Sequence, residues 1–158
     1  SIVRYEFPAR GDRPSVVVNW YDGLRPPRPR GLSEKDELGD GEGGALFKGS
    51  EGYLTCGTYG QSPRLVPESR MKDFSPPAPS LRQVTGTHEA EWCDAIRNSR
   101  KANADFAYSG PLTETALLGN IAKRMNTKLL WDTEEMVFSN VPEATDYVRQ
   151  AYREGWSL

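Results

Sequence analysis

The sequence predicts an α+β fold, a mainly antiparallel open sheet with helices on one face. Three observations predict it. Short segments of period-two alternation come first, as in Ile2 to Phe7, where Val3, Tyr5 and Phe7 alternate with Arg4 and Glu6. Tight turn signals separate them, the clearest being Gly49-Ser-Glu-Gly52 between Ala45–Lys48 and Tyr53–Thr58. Helical periodicity is concentrated in the second half, above all between Gly110 and Met125.

The 158 residues suffice for one domain with its own core. Twenty basic and 22 acidic side chains nearly cancel and are interspersed, so no field of one sign is present to hold nucleic acid or an anionic membrane. No apolar run reaches membrane-spanning length. The chain opens on Ser1, directly before a strand, so a natural start upstream is expected. Cys56 and Cys93 are read as buried free thiols, since neither has a paired spacing. A lone histidine and dispersed thiols argue against zinc, and no metal site is expected.

Along the chain, Ile2–Phe7 should pair with Ser15–Tyr21 across the Ala9–Pro14 turn. The Val16-Val-Val run marks the second strand as the more buried. Asp22 to Gly44 is a long irregular segment containing the proline run 25–30, read as a stiff surface crossing able to edge a cleft. Gly39-Asp-Gly-Glu-Gly-Gly44 matches the letters of a dinucleotide fingerprint. It lacks the preceding strand and following helix that place a pyrophosphate at a helix N-terminus, and is rejected. Arg64–Val66 reads as a short strand and Glu68–Phe74 as a helical turn or two.

Thr87 should cap a helix through about Asn98, with Trp92, Ala95 and Ile96 inward. The next helix is expected from Gly110, with Pro111 at its first position and Leu117, Leu118, Ile121, Ala122 and Met125 on its buried arc. Lys128–Trp131 and Met136–Phe138 read as strands. Asn140 with Glu143 forms a capping-box pair opening a last helix through about Tyr152, and Trp156 is too apolar for a free tail.

At these residues the chain resembles a known family. The resemblance is carried by His88–Ile96, Phe106–Glu114, Leu117-Leu-Gly-Asn-Ile-Ala122 and Lys128-Leu-Leu-Trp-Asp132, in that order and spacing. Trp20-Tyr-Asp-Gly23, the Gly49–Gly52 turn, Gly57-Thr-Tyr-Gly60, Pro67–Met71 and Tyr152–Leu158 fit the same subgroup. The family is the Gfo/Idh/MocA nicotinamide-dependent sugar oxidoreductases, and the part resembled is their carboxy-terminal domain, in members from sugar-degrading bacteria. The resemblance implies that residues 1–158 form a substrate and oligomerisation domain, lacking an upstream Rossmann domain that binds NAD or NADP. The family's catalytic lysine, and its histidine or tyrosine, have no match here, so the piece is expected to be inert alone, with no catalytic and no cofactor-binding residue of its own.

What remains is a substrate wall. Sugars are gripped by polar groups over an aromatic floor, and Trp20, Tyr21, Asp22, Tyr59, Glu68, Arg70 and His88 offer those types near strand ends and loops. A sugar-type small molecule and a second copy, met through the open sheet face, are the expected partners. The alternatives are a stand-alone carbohydrate-binding module without redox chemistry and part of a NAD-dependent glycosidase.

Overall fold

A computed structural model describes residues 1–149 and 151–156. It is α+β, with antiparallel strand pairing throughout. The strands form three separate small sheets where one open sheet is expected. Two compact units are present: residues 1–25 with 83–158, and residues 26–82.

The first unit begins with a hairpin, β1 (Ile2–Phe7) and β2 (Val16–Tyr21), in the expected pairing, with Val3 opposite Trp20 and Tyr5 opposite Val18. Residues directly opposite share a face, so Val3, Tyr5, Phe7, Val16, Val18 and Trp20 form one side. Ile2, Arg4, Glu6, Val17, Asn19 and Tyr21 form the other. The burial order of the strands is the reverse of expectation. Val3 and Tyr5 are half-buried, whereas Val16, Val17, Val18 and Trp20 are all exposed. The reason is positional: in this two-stranded sheet it is β1 that carries the long helix.

Helix α1 (His88–Arg97) starts as expected, with Thr87 accepting from the Ala90 N–H at 3.2 Å. Its buried side differs. Ala95 is buried, but Trp92 and Ile96 are exposed, and the other buried residue is Glu91, whose carboxylate takes the Arg100 guanidinium at 2.8 Å. A neighbouring cation thus allows a carboxylate inside where the helical period placed a tryptophan.

Helix α2 (Phe106–Met125) begins four residues earlier than expected. Asp105 is its cap, accepting from the Tyr108 N–H at 3.0 Å, and Pro111 lies inside the helix. An interior proline withholds one N–H, that to the Ala107 carbonyl, and the helix runs through this single missing bond because its first turn is already capped. Gly119 is buried and Leu118, Ile121, Ala122 and Met125 are half-buried, so the expected arc holds except at the exposed Leu117. Asn126 ends the helix in the left-handed region, donating to Ala122.

The strand expected over Lys128–Trp131 is only β6 (Trp131–Asp132), paired with β7 (Val137–Phe138). The expected helix from Asn140 is a 3-10 segment, Pro142–Tyr147, and Gln150 and the terminal Ser157–Leu158 of the expected closing elements lie outside the described residues. Asn140 is not its cap. Its side-chain oxygen accepts from the Leu130 N–H at 2.7 Å and its amide donates to the Lys128 carbonyl at 2.8 Å, so it replaces the missing strand ladder. Phe138 and Ala144 are buried, and the Trp131 ring centroid lies 5.0 Å from that of Phe138. Trp156 is exposed, with the Arg153 guanidinium 4.5 Å from its ring.

The second unit is the sheet β3 (Ala45–Lys48), β4 (Tyr53–Cys56) and β5 (Arg64–Val66), in that order. The expected hairpin is present, closed by Gly49 N–H to Gly52 at 2.8 Å. A 3-10 turn, Glu68–Met71, follows β5. Val66 and Thr55 are buried, and the Thr55 hydroxyl is satisfied by donating to Ala45 and accepting from the Gly39 N–H. Both thiols are free, but Cys56 is half-buried and Cys93 exposed, against the buried reading. Cys93 lies on the uncovered side of α1. No helix among the described residues is long and apolar enough to cross a membrane.

Asn140→Ala should cost about 1 kcal/mol, the worth of hydrogen bonds partly open to water. Hydrogen exchange should show the Leu130 amide losing protection while the amides of 144–148 keep theirs; the opposite pattern would restore the role of a helix cap.

Candidate functional site

The candidate site is a cleft of about 280 Å³ in the first unit, between the covered side of the β1–β2 hairpin and α2. Val3, Tyr5 and Trp20 supply the hairpin wall, with Asp22 just beyond β2. Ala116, Gly119, Asn120 and Lys123 supply the helical wall, at i, i+3, i+4 and i+7 along a single stripe of α2.

Close approach of the two walls depends on Gly119. A Cβ built there would collide with the Tyr5 hydroxyl and lie 2.8 Å from the ring carbon that bears it. Glycine inside a helix costs about 1 kcal/mol relative to alanine, so the position gives up intrinsic stability to admit the phenol. Partial burial raises the Tyr5 pKa, which keeps the hydroxyl protonated and able to donate. Asp22 is displaced the other way. Its carboxylate accepts from the Ser1 hydroxyl at 3.0 Å and lies 3.5 Å from the Lys123 ammonium, and both lower its pKa.

The seven candidate residues divide between the units. Trp20 and Asp22 meet in the cleft, and Trp20 is 54 % exposed within a wall that leaves its indole open. Tyr21 falls on the opposite side of the hairpin. His88, the first residue of α1, is exposed and does not line this cleft. Tyr59, Glu68 and Arg70 belong to the second unit. Tyr59 is 88 % exposed, Glu68 pairs with Arg64 at 3.3 Å, and Arg70 donates to the Glu51 carbonyl at 2.5 Å beside a shallow groove under the Gly49–Gly52 turn. Sequence reasoning missed Tyr5, Asn120 and Lys123. The signal was present in the helical stripe 116, 119, 120, 123, whose small and polar members break the apolar arc.

A dinucleotide needs backbone N–H groups free at a helix start, and the glycine-rich segment 39–44 does not fit one. The N–H groups of Gly39, Asp40, Glu42 and Gly43 are already used within the chain. The Asp40 carboxylate accepts from the N–H of Thr58 at 2.7 Å, of Gly43 at 2.8 Å and of Glu42 at 2.9 Å, and from the side chains of Thr58 and Gln61. A strand, β3, follows. These donors hold the Asp40 pKa at about 2. No group of three or more His, Cys, Asp or Glu side chains able to hold a metal occurs among the described residues. A scan against protein-family models and a search of curated proteins each return no match for this chain.

Two outcomes follow from this geometry. Gly119→Ala should destabilise the chain by about 1–3 kcal/mol despite the better helix former, because the added methyl overpacks against Tyr5. Adding Tyr5→Phe should recover part of that loss in a denaturation titration, and a stabilised single variant would refute the contact. For Asp40 the folded pKa lies below the ordinary carboxylate value, so its contribution is complete above about pH 4 and is lost as the pH falls toward about 2. Amide resonances of Gly43 and Thr58 should move together in that window and stay fixed in Asp40→Asn.

Proposed function

We propose that the chain is the substrate wall and assembly domain of a NAD(P)-dependent sugar oxidoreductase of the Gfo/Idh/MocA family. The observation that carries the reading is the cleft joining Trp20 and Asp22 to Asn120 and Lys123. An aromatic side chain beside a carboxylate, an amide and an ammonium offers a face for C–H bonds and both donors and acceptors for hydroxyls. The volume, about 280 Å³, falls just below the usual range of ligand pockets, about 300–1,000 Å³, so only a ligand as small as one sugar ring fits. The stripe that lines it overlaps the 117–122 segment on which the family resemblance rests.

Hydride chemistry belongs, in this reading, to a Rossmann domain outside the chain that binds NAD or NADP and carries the lysine. The chain alone binds sugar and transfers nothing. Assignment of the α+β fold to that family's carboxy-terminal type is supported by the order of the resembling segments and by α2 lying on one face of β1–β2. Assembly with a second copy would use the other hairpin face, where Ile2, Val17 and Tyr21 alternate with Arg4, Asn19 and Glu6. One observation favours a stand-alone carbohydrate-binding module: every wall of the cleft comes from the first unit, so binding needs no second domain. A role within a NAD-dependent glycosidase shares the same sugar cleft.

Titration of the 158-residue chain with neutral monosaccharides, followed by amide resonances, tests the reading. Saturable shifts at Asn120 and Lys123, abolished by Trp20→Ala, are expected, with no saturable response to NAD or NADP. Sugars that leave those amides unmoved, or a dinucleotide that binds one-to-one, would contradict it.

A further inference from the structure

The polar side chains of the cleft are not equally occupied. Asp22 and Lys123 answer each other at 3.5 Å, and Asp22 also holds the Ser1 hydroxyl. The Tyr5 hydroxyl and the Asn120 amide have no hydrogen-bond partner among the described residues, although both line the same cleft and Tyr5 is half-buried. Tyr5 is half-buried and Asn120 exposed, and both open onto the cleft, so the hydroxyl and the amide are accessible to a ligand there.

Gly119 sharpens the point. It sits immediately before Asn120, in the middle of a 20-residue helix, where glycine is the poorest helix former after proline. What its missing side chain admits is the oxygen end of Tyr5. An alanine at residue 119 would favour the helix but would meet both the hydroxyl and the ring carbon that bears it. The arrangement present sacrifices local propensity to keep a hydroxyl, and such departures from local preference concentrate at functional positions.

We infer that Tyr5 and Asn120 are specificity-determining residues which recognise hydroxyl groups of the bound molecule, with Gly119 positioning the Tyr5 phenol for that contact. The inference rests on the proposed sugar-binding reading and adds to it the residues that discriminate one sugar from another. Tyr5 can donate and accept one bond each way, and the Asn120 amide offers two donors and an acceptor, so together they match a pair of neighbouring hydroxyls. Asp22 and Lys123, already neutralising each other, contribute affinity without choosing between hydroxyl patterns.

The test uses the 158-residue chain, with glucose, galactose, xylose and myo-inositol as probes. The tightest of these is followed in Tyr5→Phe, Asn120→Ala and Trp20→Ala. Tyr5→Phe and Asn120→Ala should each lower affinity by about 3–10-fold, the worth of a neutral hydrogen bond, with an unchanged unfolding midpoint. Tyr5→Phe should also bind one monodeoxy analogue of that sugar as tightly as the parent, a loss of discrimination that a merely structural role would not produce. Binding lost in Trp20→Ala but unaltered in both Tyr5→Phe and Asn120→Ala overturns this inference and leaves the sugar-binding reading standing. Failure of the unmodified chain to bind any of the four overturns both.

Discussion

The contact between the Tyr5 phenol and the bare backbone of Gly119 sets the geometry of the first unit. It fixes how closely α2 lies on the hairpin, and therefore how wide the cleft between them is. From it follow the half-burial of Val3 and Tyr5, the exposure of the β2 valines, and the placing of Asn120 and Lys123 opposite Trp20 and Asp22. An ion pair from Lys128 to Glu6, at 2.6 Å, ties the end of the helix to the same strand. Both groups are largely open to water, so this pair adds orientation more than stability.

Carboxylates do much of the remaining organisation. Asp36, almost wholly buried, accepts from the Ser33 and Glu68 N–H groups and so joins the irregular segment to the end of β5. Asp40 does the same between the glycine cluster and the turn after β4, and Glu91 draws Arg100 against α1. Each satisfies backbone or guanidinium donors where regular ladders are absent, which explains how short sheets and long coils hold definite conformations. Among the described residues, the buried hydrophobic side chains are Val66, Ala95, Phe138 and Ala144. Polar ties therefore carry an unusual share of the order, and apolar surface at Trp92, Ile96 and Phe106 is left open.

Elements with a purely local signature were legible in the sequence. The Gly49–Gly52 hairpin, the β1–β2 pairing and the Thr87 cap each depend on neighbours a few residues away, and each lies where turn chemistry and alternation placed it. Features decided by distant partners were not. Asn140 carries the letters of a cap but is drawn to the 128–130 backbone, and Glu91 is internal because Arg100 and the Asn103 N–H are at hand. Of the site, Trp20 and Asp22 were legible from residue type near a strand end. Tyr5, Asn120 and Lys123 were hidden because an alternating strand and an amphipathic helix explain them equally well until the two are brought face to face.

The cleft and the ligand proposed for it depend on α2 meeting β1 at one place. The most direct measurement is the nuclear Overhauser contact between the Tyr5 ring protons and the α protons of Gly119 in the 158-residue chain. Strong cross-peaks there, with weaker ones from Tyr5 to Ala116, are the predicted result. Their absence, or a Tyr5 ring whose contacts lie only within the hairpin, would contradict the packing and with it the cleft.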